Sequence, residues 1–425
     1  MTTAIAERKT VFLSFLEKAF SVTAFLYYSG AFIQQFEKRA HMVAAPGHQD
    51  PLAMAVSYPI YLITLYLASR RAGDIFELLK KEKFVALMIF SVALSVLWSD
   101  IPMLTLRHTI GFICLTLFGI YLALNYSEGK RLGLFAFAFG TVGAASFIFV
   151  KFLPSYGVDN GAAVMSHAGA WQGIYEQKNN FGEVMALSAL VFALLPARDL
   201  KGKTVKWAFL VFSLAALLFS RSETSIAAIL IIALLLPLIR SIRAPKLLRG
   251  FTYCFYMGGA TASAIWLSGG KIGTLLAAMG RDSTFSGRTE LWSIIMEFIR
   301  KRPLLGYGYS AFWAGNVDYV QHEAGWLVLQ SHNGFLDLML GLGFLGLLIF
   351  LAGFLQAVRN SVARIRSGTG SLAFWPLFFL IVMLFSNFFE SPVLDNNSII
   401  WLLYVCTAIS LHVPGKADDP PQVLP

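Results

Sequence analysis

Apolar runs that approach membrane-crossing length recur along the whole chain. A helix needs roughly 20 apolar residues to cross the hydrocarbon layer, within a range of about 17–25. Such runs fall at 11–34, 52–69, 84–98, 105–125, 132–153, 181–197, 206–220, 225–242, 249–268, 333–357, 372–390 and 397–413. They predict about twelve transmembrane helices. The runs at 84–98 and 206–220 are short, so the ends of those helices are expected outside these limits. The first run contains Glu17 and Lys18, which lets its inner end lie flat on the surface, and it has no small-residue cleavage site of the kind that ends a removable signal peptide. Between the ninth and tenth runs the pattern breaks into a long polar stretch, Gly269 to Gly334. Within it Leu291, Trp292, Ile295, Phe298 and Ile299 recur at helical spacing. They predict an amphipathic helix over Glu290–Arg302 that lies on the membrane surface. Pro303 stops that helix, and Gly306 and Gly308 permit a sharp turn after it.

Composition sharpens the class. The 425 residues are 57% hydrophobic and 14% charged, whereas soluble domains carry about a quarter charged residues. The expected fold is all-α: a polytopic integral membrane protein forming a single membrane domain over 1–425. An outer-side loop over 269–332 is inserted before the tenth helix, and a disordered cytoplasmic tail covers 414–425. Orientation follows from Lys and Arg in the short loops. With the N-terminus inside, the inner loops hold Arg70, Arg71, Lys80, Lys81 and Lys83, and later Arg240, Arg243, Lys246 and Arg249. Both termini are then cytoplasmic and the long loop faces outward. The net charge of +10 sits mostly in those inner loops and needs no nucleic-acid partner. Cys114, Cys254 and Cys406 all fall in apolar runs without metal spacing, and read as buried free thiols.

Ionisable groups bordering spans are costly and tend to face a cavity or a partner. Under this topology Arg107, Glu183, Arg221, Glu223, His332, Asp337, Glu390 and Asp395 all fall at outer helix ends. One group there is explained by snorkelling; the set is better explained by a polar cavity open to the outside. Arg221 lies in the very tight turn Ser220–Ser225, against the positive-inside trend, so an anionic partner is expected: Glu223, or a phosphate of lipid or substrate. Arg288 falls in the first turn of the loop helix, where the helix dipole does not favour a cation; a plain surface arginine is the alternative. His332 opens the tenth span, a position where structural histidines outnumber catalytic ones.

Taken in order, Trp98-Ser-Asp-Ile-Pro102, Gln177-Lys-Asn-Asn-Phe-Gly182, Ser220-Arg-Ser222, Gly287-Arg-Thr-Glu-Leu-Trp292, Pro303-Leu-Leu-Gly-Tyr-Gly308, Ser331-His-Asn-Gly-Phe335 and the glycine-rich run ending at Gly346 form a set. The set resembles the bacterial O-antigen ligase and Wzy-type polysaccharide polymerase superfamily, and within it the succinoglycan-type exopolysaccharide polymerases. Each motif is weak alone, and together they do not separate ligase from polymerase. The resemblance implies transfer of a glycan from a polyprenyl-diphosphate-linked oligosaccharide to a hydroxyl acceptor on the periplasmic face of the inner membrane. Arg221 and Arg288 would hold the diphosphate and His332 would assist the acceptor hydroxyl. Arg107, Lys178, Asn179, Glu223, Tyr307 and Asp395 would line the substrate. Besides membrane lipids, the implied partners are the flippase and chain-length regulator of the same pathway.

The chemistry is compatible. A diphosphate leaving group gathers negative charge that fixed cations or a metal must stabilise. No closely spaced acidic pair stands in the outer loops for magnesium, whereas arginine binds phosphate oxygens bidentately and keeps its charge. Histidine is a suitable base for a sugar hydroxyl. The expectation is an inverting, metal-independent glycosyltransferase without a cofactor, with polymerase ahead of lipid A-core ligase. A secondary transporter is the competing class, but its site would fall near the midplane on broken helices.

Overall fold

The computed structural model describes residues 2–31, 51–161, 167–197, 199–266, 288–326, 328–368, 370–391 and 398–413. The described residues are helix and loop, with an isolated antiparallel bridge between Val158 and Trp171. In chain order the longer helices are α1 (Thr2–Tyr28), α2 (Pro51–Ser69), α3 (Ala72–Lys81), α4 (Lys83–Leu94), α5 (Pro102–Asn125), α6 (Glu128–Phe152), α7 (Lys178–Leu194) and α8 (Leu200–Ser220). They continue as α9 (Glu223–Ser241), α10 (Lys246–Trp266), α11 (Arg288–Lys301), α12 (Ala311–Ala324), α13 (Gly334–Ser367), α14 (Trp375–Phe389) and α15 (Ile399–Ser410). Among the described residues six helices are long and apolar enough to span a bilayer: α5, α6, α8, α9, α13, and α14 with its leading turn from Leu372. Shorter apolar helices cover Met54–Ser69, Lys83–Leu97 and Ile399–Ser410. The chain is therefore a multi-pass α-helical membrane protein. The short run at 206–220 becomes a 21-residue helix because α8 continues back through Lys206, Lys203 and Lys201 to Leu200.

Two compact units make up the chain. The first comprises Met1–Ala86, Thr109–Ile226 and Asp395–Pro425; the second comprises Leu87–His108 and Ala227–Leu394. In the first, α15 is buried along its whole length, which is why its sequence is apolar all round. Trp401 stacks on Phe112 with centroids 5.0 Å apart, and its Nε1 donates to Thr116 Oγ1 at 2.9 Å. Nearby α7 lies along α8, where Phe192 stacks on Phe209 and the Ser188 and Ser213 hydroxyls meet at 2.8 Å. Cys254 departs from the expectation of three buried thiols. Cys114 and Cys406 are buried, but Cys254 is exposed on α10, because the apolar character of that helix serves a face without protein cover, flanked by exposed Phe251, Phe255 and Met257.

In the second unit α13 is broken at Gly343, whose φ of 67° and ψ of −169° lie outside the helix. The segment after α11 fills the break. Tyr307 N donates to Leu340 O at 2.7 Å and Gly308 N to Gly341 O at 3.0 Å, while Phe344 N donates to Pro303 O at 2.7 Å. Carbonyls and amides freed by the kink thus find partners in the loop, as interrupted helices require. The closeness demands glycine at Gly343, because a Cβ there would strike the Leu304 carbonyl. The Trp98–Pro102 segment clamps the same loop. Trp98 Nε1 donates to Leu305 O at 2.9 Å, Asp100 N to Tyr307 O at 3.2 Å, and Asp100 pairs with Arg302 at 2.6 Å.

The loop helix α11 starts at Arg288 and ends at Lys301, with Glu290 in its first turn and Arg300 and Lys301 in its last, signs that suit the helix dipole. Its apolar face was expected on the membrane surface and instead packs into protein. Leu291, Ile295, Phe298 and Ile299 form a core with Tyr307, Phe312, Val320, Val328 and Leu340. The spacing of a membrane-surface helix and a helix on a protein core is the same; here α12 supplies the cover.

Candidate functional site

In the second unit the chain between α12 and α13 is shaped by a chain of polar contacts. Asn333 caps α13, its Oδ1 accepting from Phe335 N at 3.0 Å and Leu336 N at 3.3 Å, a standard way to satisfy free amides at a helix start. The Ser331 hydroxyl donates to Asn333 O at 2.7 Å, and Ser331 N donates to Asp337 Oδ2 at 3.2 Å. Asp337 also accepts from Trp313 Nε1 at 2.8 Å, and Ser331 O accepts from Trp292 Nε1 at 2.9 Å. Between these anchors His332 is held at φ 52°. This left-handed backbone costs a non-glycine residue about 1–2 kcal/mol, and the surrounding hydrogen bonds hold it there.

Glu390, just past α14, gathers the charged groups. Its Oε2 lies 3.4 Å from His332 Nδ1 and its Oε1 lies 3.9 Å from Arg288 Nη2. All three side chains are about four-fifths buried, with 22% of His332, 22% of Arg288 and 17% of Glu390 exposed. Arg288 Nη1 donates to Phe389 O at 2.9 Å, and the Glu390 carbonyl accepts from Gly334 N at 2.9 Å. Gln330 Nε2 lies 3.4 Å from both His332 Nδ1 and Glu390 Oε2. Two predicted site residues far apart in sequence, Arg288 and His332, therefore meet through one carboxylate. In the tautomer that donates Nδ1–H to Glu390, Nε2 is left as the proton-accepting nitrogen of the imidazole.

Arg221 stands in the first unit, at the end of α8, and is likewise left-handed, with φ 51°. Its guanidinium is exposed and Nη1 donates to Ala168 O at 3.0 Å. Lys178, the first residue of α7, donates from Nζ to Arg221 O at 3.2 Å, so the Gln177–Gly182 and Ser220–Ser222 motifs meet. Gly182 is required there, because a Cβ would strike the Ser222 side chain. His167 borders this turn, its Nδ1 3.9 Å from Asp159 Oδ2. Burial first, and then the positive charge of Lys178, hold the His167 pKa below its ordinary value, against the pull of Asp159. Asn179 follows Lys178 half-buried, and Glu223 is exposed at the start of α9.

Two predicted residues stand outside these contacts. Arg107 is exposed on α5. Tyr307 is 6% exposed, its hydroxyl donating to Phe298 O at 3.0 Å and its ring lying under Arg302 at 4.6 Å. That burial pushes its phenol pKa up, Arg302 opposing. Asp395 lies outside the described residues, as do Gly287, most of the long polar stretch before it and the tail. Sequence reasoning placed Glu390 among the outer-end charges without seeing that it joins Arg288 to His332, and it passed over Gln330 and Trp326. The signal for Gln330 was its place two residues before the histidine. Among the described residues no three His, Cys, Asp or Glu side chains come together.

Fold and site together define a multi-pass helical membrane protein with a partly buried cation–carboxylate–imidazole cluster and a second, arginine-bearing turn. Residues 208–351 match the O-antigen ligase family model, Wzy_C; that stretch contains Arg221, Arg288 and His332. The chain is also 27% identical over 350 residues to the exopolysaccharide production protein ExoQ of Rhizobium meliloti (strain 1021), an alignment covering 78% of this chain and 77% of the relative. These findings support the O-antigen ligase and polysaccharide polymerase family for this chain.

Proposed function

We propose that the protein polymerises polyprenyl-diphosphate-linked oligosaccharide repeat units into exopolysaccharide or O-antigen. The observation that carries this reading is the juxtaposition of Arg288 and His332 on Glu390. In the proposed step the acceptor hydroxyl oxygen attacks the anomeric carbon of the donor. Its proton passes to His332 Nε2, while Glu390 holds the Nδ1 side and favours the imidazolium that forms, the role a carboxylate plays beside a catalytic histidine. The bond from the anomeric carbon to the phosphate oxygen breaks and its electron pair leaves with the diphosphate, whose charge Arg288 and Arg221 stabilise. Lys178 and Asn179 assist Arg221, and Arg107, Glu223 and Asp395 contact the glycan. Tyr307 shapes the loop that supports the site.

The reaction draws on no cofactor and no metal, since the carrier-phosphate bond supplies the driving force and arginines the charge. It occurs on the periplasmic face of the bacterial inner membrane, with both termini cytoplasmic and about twelve spans. His332→Ala and Arg288→Ala, assayed for polymer at matched expression, are each expected to lose activity; full activity in both would sink the assignment. Transfer abolished by EDTA and restored by magnesium would overturn metal independence. The second reading is transfer of O-antigen to lipid A-core, favoured by the description of the matched family. A deletion strain separates them: loss of high-mass exopolysaccharide marks the polymerase, uncapped lipid A-core the ligase.

A further inference from the structure

Trp326 has no role in the reading above, yet it lies against the candidate base. Its ring is nearly parallel to the His332 imidazole, 18° between planes, with centroids 6.0 Å apart. Full face-to-face overlap would bring the centroids much closer, so the rings are displaced sideways and part of the indole face is uncovered. Trp326 is accordingly 37% exposed. Its placement is built into the chain. Gly325, at φ 75°, ends α12 in the left-handed conformation, so the residue that follows turns away from the helix axis. The neighbouring indoles Trp292 and Trp313 both spend their N–H groups inside the protein, on Ser331 O and Asp337. The Gln330 carboxamide, 3.4 Å from His332 Nδ1, borders the same ring.

An exposed indole beside a polar amide and a histidine suits one ligand chemistry well. A pyranose has a face of C–H groups that packs on the negative face of an aromatic ring, and a rim of hydroxyls that needs polar partners. Resting on the polymerase reading, we propose that Trp326 is the platform for the terminal sugar ring of the acceptor glycan. Gln330 binds a rim hydroxyl and the attacking hydroxyl is thereby delivered to His332. The indole supplies binding and orientation, and takes no part in proton transfer.

The test uses the full-length protein in proteoliposomes with lipid-linked repeat unit as donor and a soluble oligosaccharide of the same repeat unit as acceptor, the acceptor concentration being varied. Trp326→Ala is expected to raise the acceptor KM roughly three- to tenfold, the scale of a lost aromatic-face contact, with kcat at saturating acceptor held within about twofold. Trp326→Phe is expected to recover most of the loss. Gln330→Ala should raise the same KM. An unchanged acceptor KM in Trp326→Ala would overturn the proposal. So would a fall in kcat at unchanged KM, since that describes an indole that merely props the imidazole. Exposed Leu329→Ala serves as a folding control next to the site. His332→Ala and Arg288→Ala run alongside: if both retain turnover the polymerase site itself is wrong, and if both are dead while Trp326→Ala binds acceptor normally only the platform fails.

Discussion

Replacing Glu390 by Gln isolates the contribution of one negative charge. The carboxylate stands 3.9 Å from the Arg288 guanidinium and 3.4 Å from His332 Nδ1. At such a separation a unit-charge pair is worth about 4 kcal/mol gross at an effective dielectric near 20, and water at the partly open site returns much of that. The net consequence falls on the reaction. A general base contributes about 10²–10⁴-fold, and the 3.4 Å contact is longer than a strong charge-assisted bond. Losing the charge should therefore cost toward the lower end, about 10²-fold in kcat or ~2.7 kcal/mol of barrier. The exchange leaves the local fold in place, because Gly334 N bonds the Glu390 main-chain carbonyl and Arg288 bonds that of Phe389. Both survive in the variant. The assay is polymer formation in membranes from cells expressing wild type and Glu390→Gln equally, with His332→Ala as the floor. Turnover within about threefold of wild type would refute the idea that Glu390 orients the imidazole.

Further outcomes follow from the frame. Gly343→Ala should lower the melting temperature in detergent by several degrees and reduce yield, because the added Cβ meets Leu304 backbone at a positive φ, costing at least ~2 kcal/mol; an unchanged melting temperature would remove the kink from the account. Arg302→Ala should cost below ~1 kcal/mol, since the pair with Asp100 is 44% and 37% exposed and such pairs are weak; thermal melting reads it. His167 has a folded pKa below its unfolded one, so the unfolded form binds more protons in that interval. Stability of the surrounding segment is then full above the ordinary histidine pKa and lost as pH falls through the interval down to the folded value. Hydrogen-exchange protection factors over residues 157–161 and 167–173, corrected for the intrinsic pH dependence of amide exchange, should fall on acidification in wild type and change less in His167→Asn; equal responses would count against it.

Much of the fold was legible because burial in lipid and protein writes long apolar runs, and long runs are robust to small errors of boundary. What was less legible depended on what covers a face. The α11 stripe is identical whether lipid or α12 lies on it, so Leu291 and Ile295 could not announce their protein neighbours. Cys254 presented the converse: an apolar context that turned out to be exposed helix. The site was half legible. Arg221, Arg288 and His332 were visible as charges where charge is costly, whereas the pairing of Glu390 with residues 58 and 102 positions earlier is a property of the folded chain, not of spacing.

The motifs divide by physical role in a way their appearance does not suggest. Trp98–Pro102, Pro303–Gly308 and the glycine run through Gly346 hold the most distinctive letters. In the fold they form one mechanical element: a broken helix, the loop that satisfies its freed backbone, and the clamp that holds the loop. Arg221 and His332 stand instead in short, plain sequences, each at a helix end and each in a left-handed conformation that glycine would adopt without strain. Retaining a cation and an imidazole there costs about 1–2 kcal/mol apiece. Helix stability alone would favour glycine at both, so the cost is intelligible if those side chains act on a substrate. By that reasoning Arg221→Gly and His332→Gly should fold at least as well as the alanine variants while remaining inactive. A glycine variant that keeps turnover would remove the replaced side chain from the reaction.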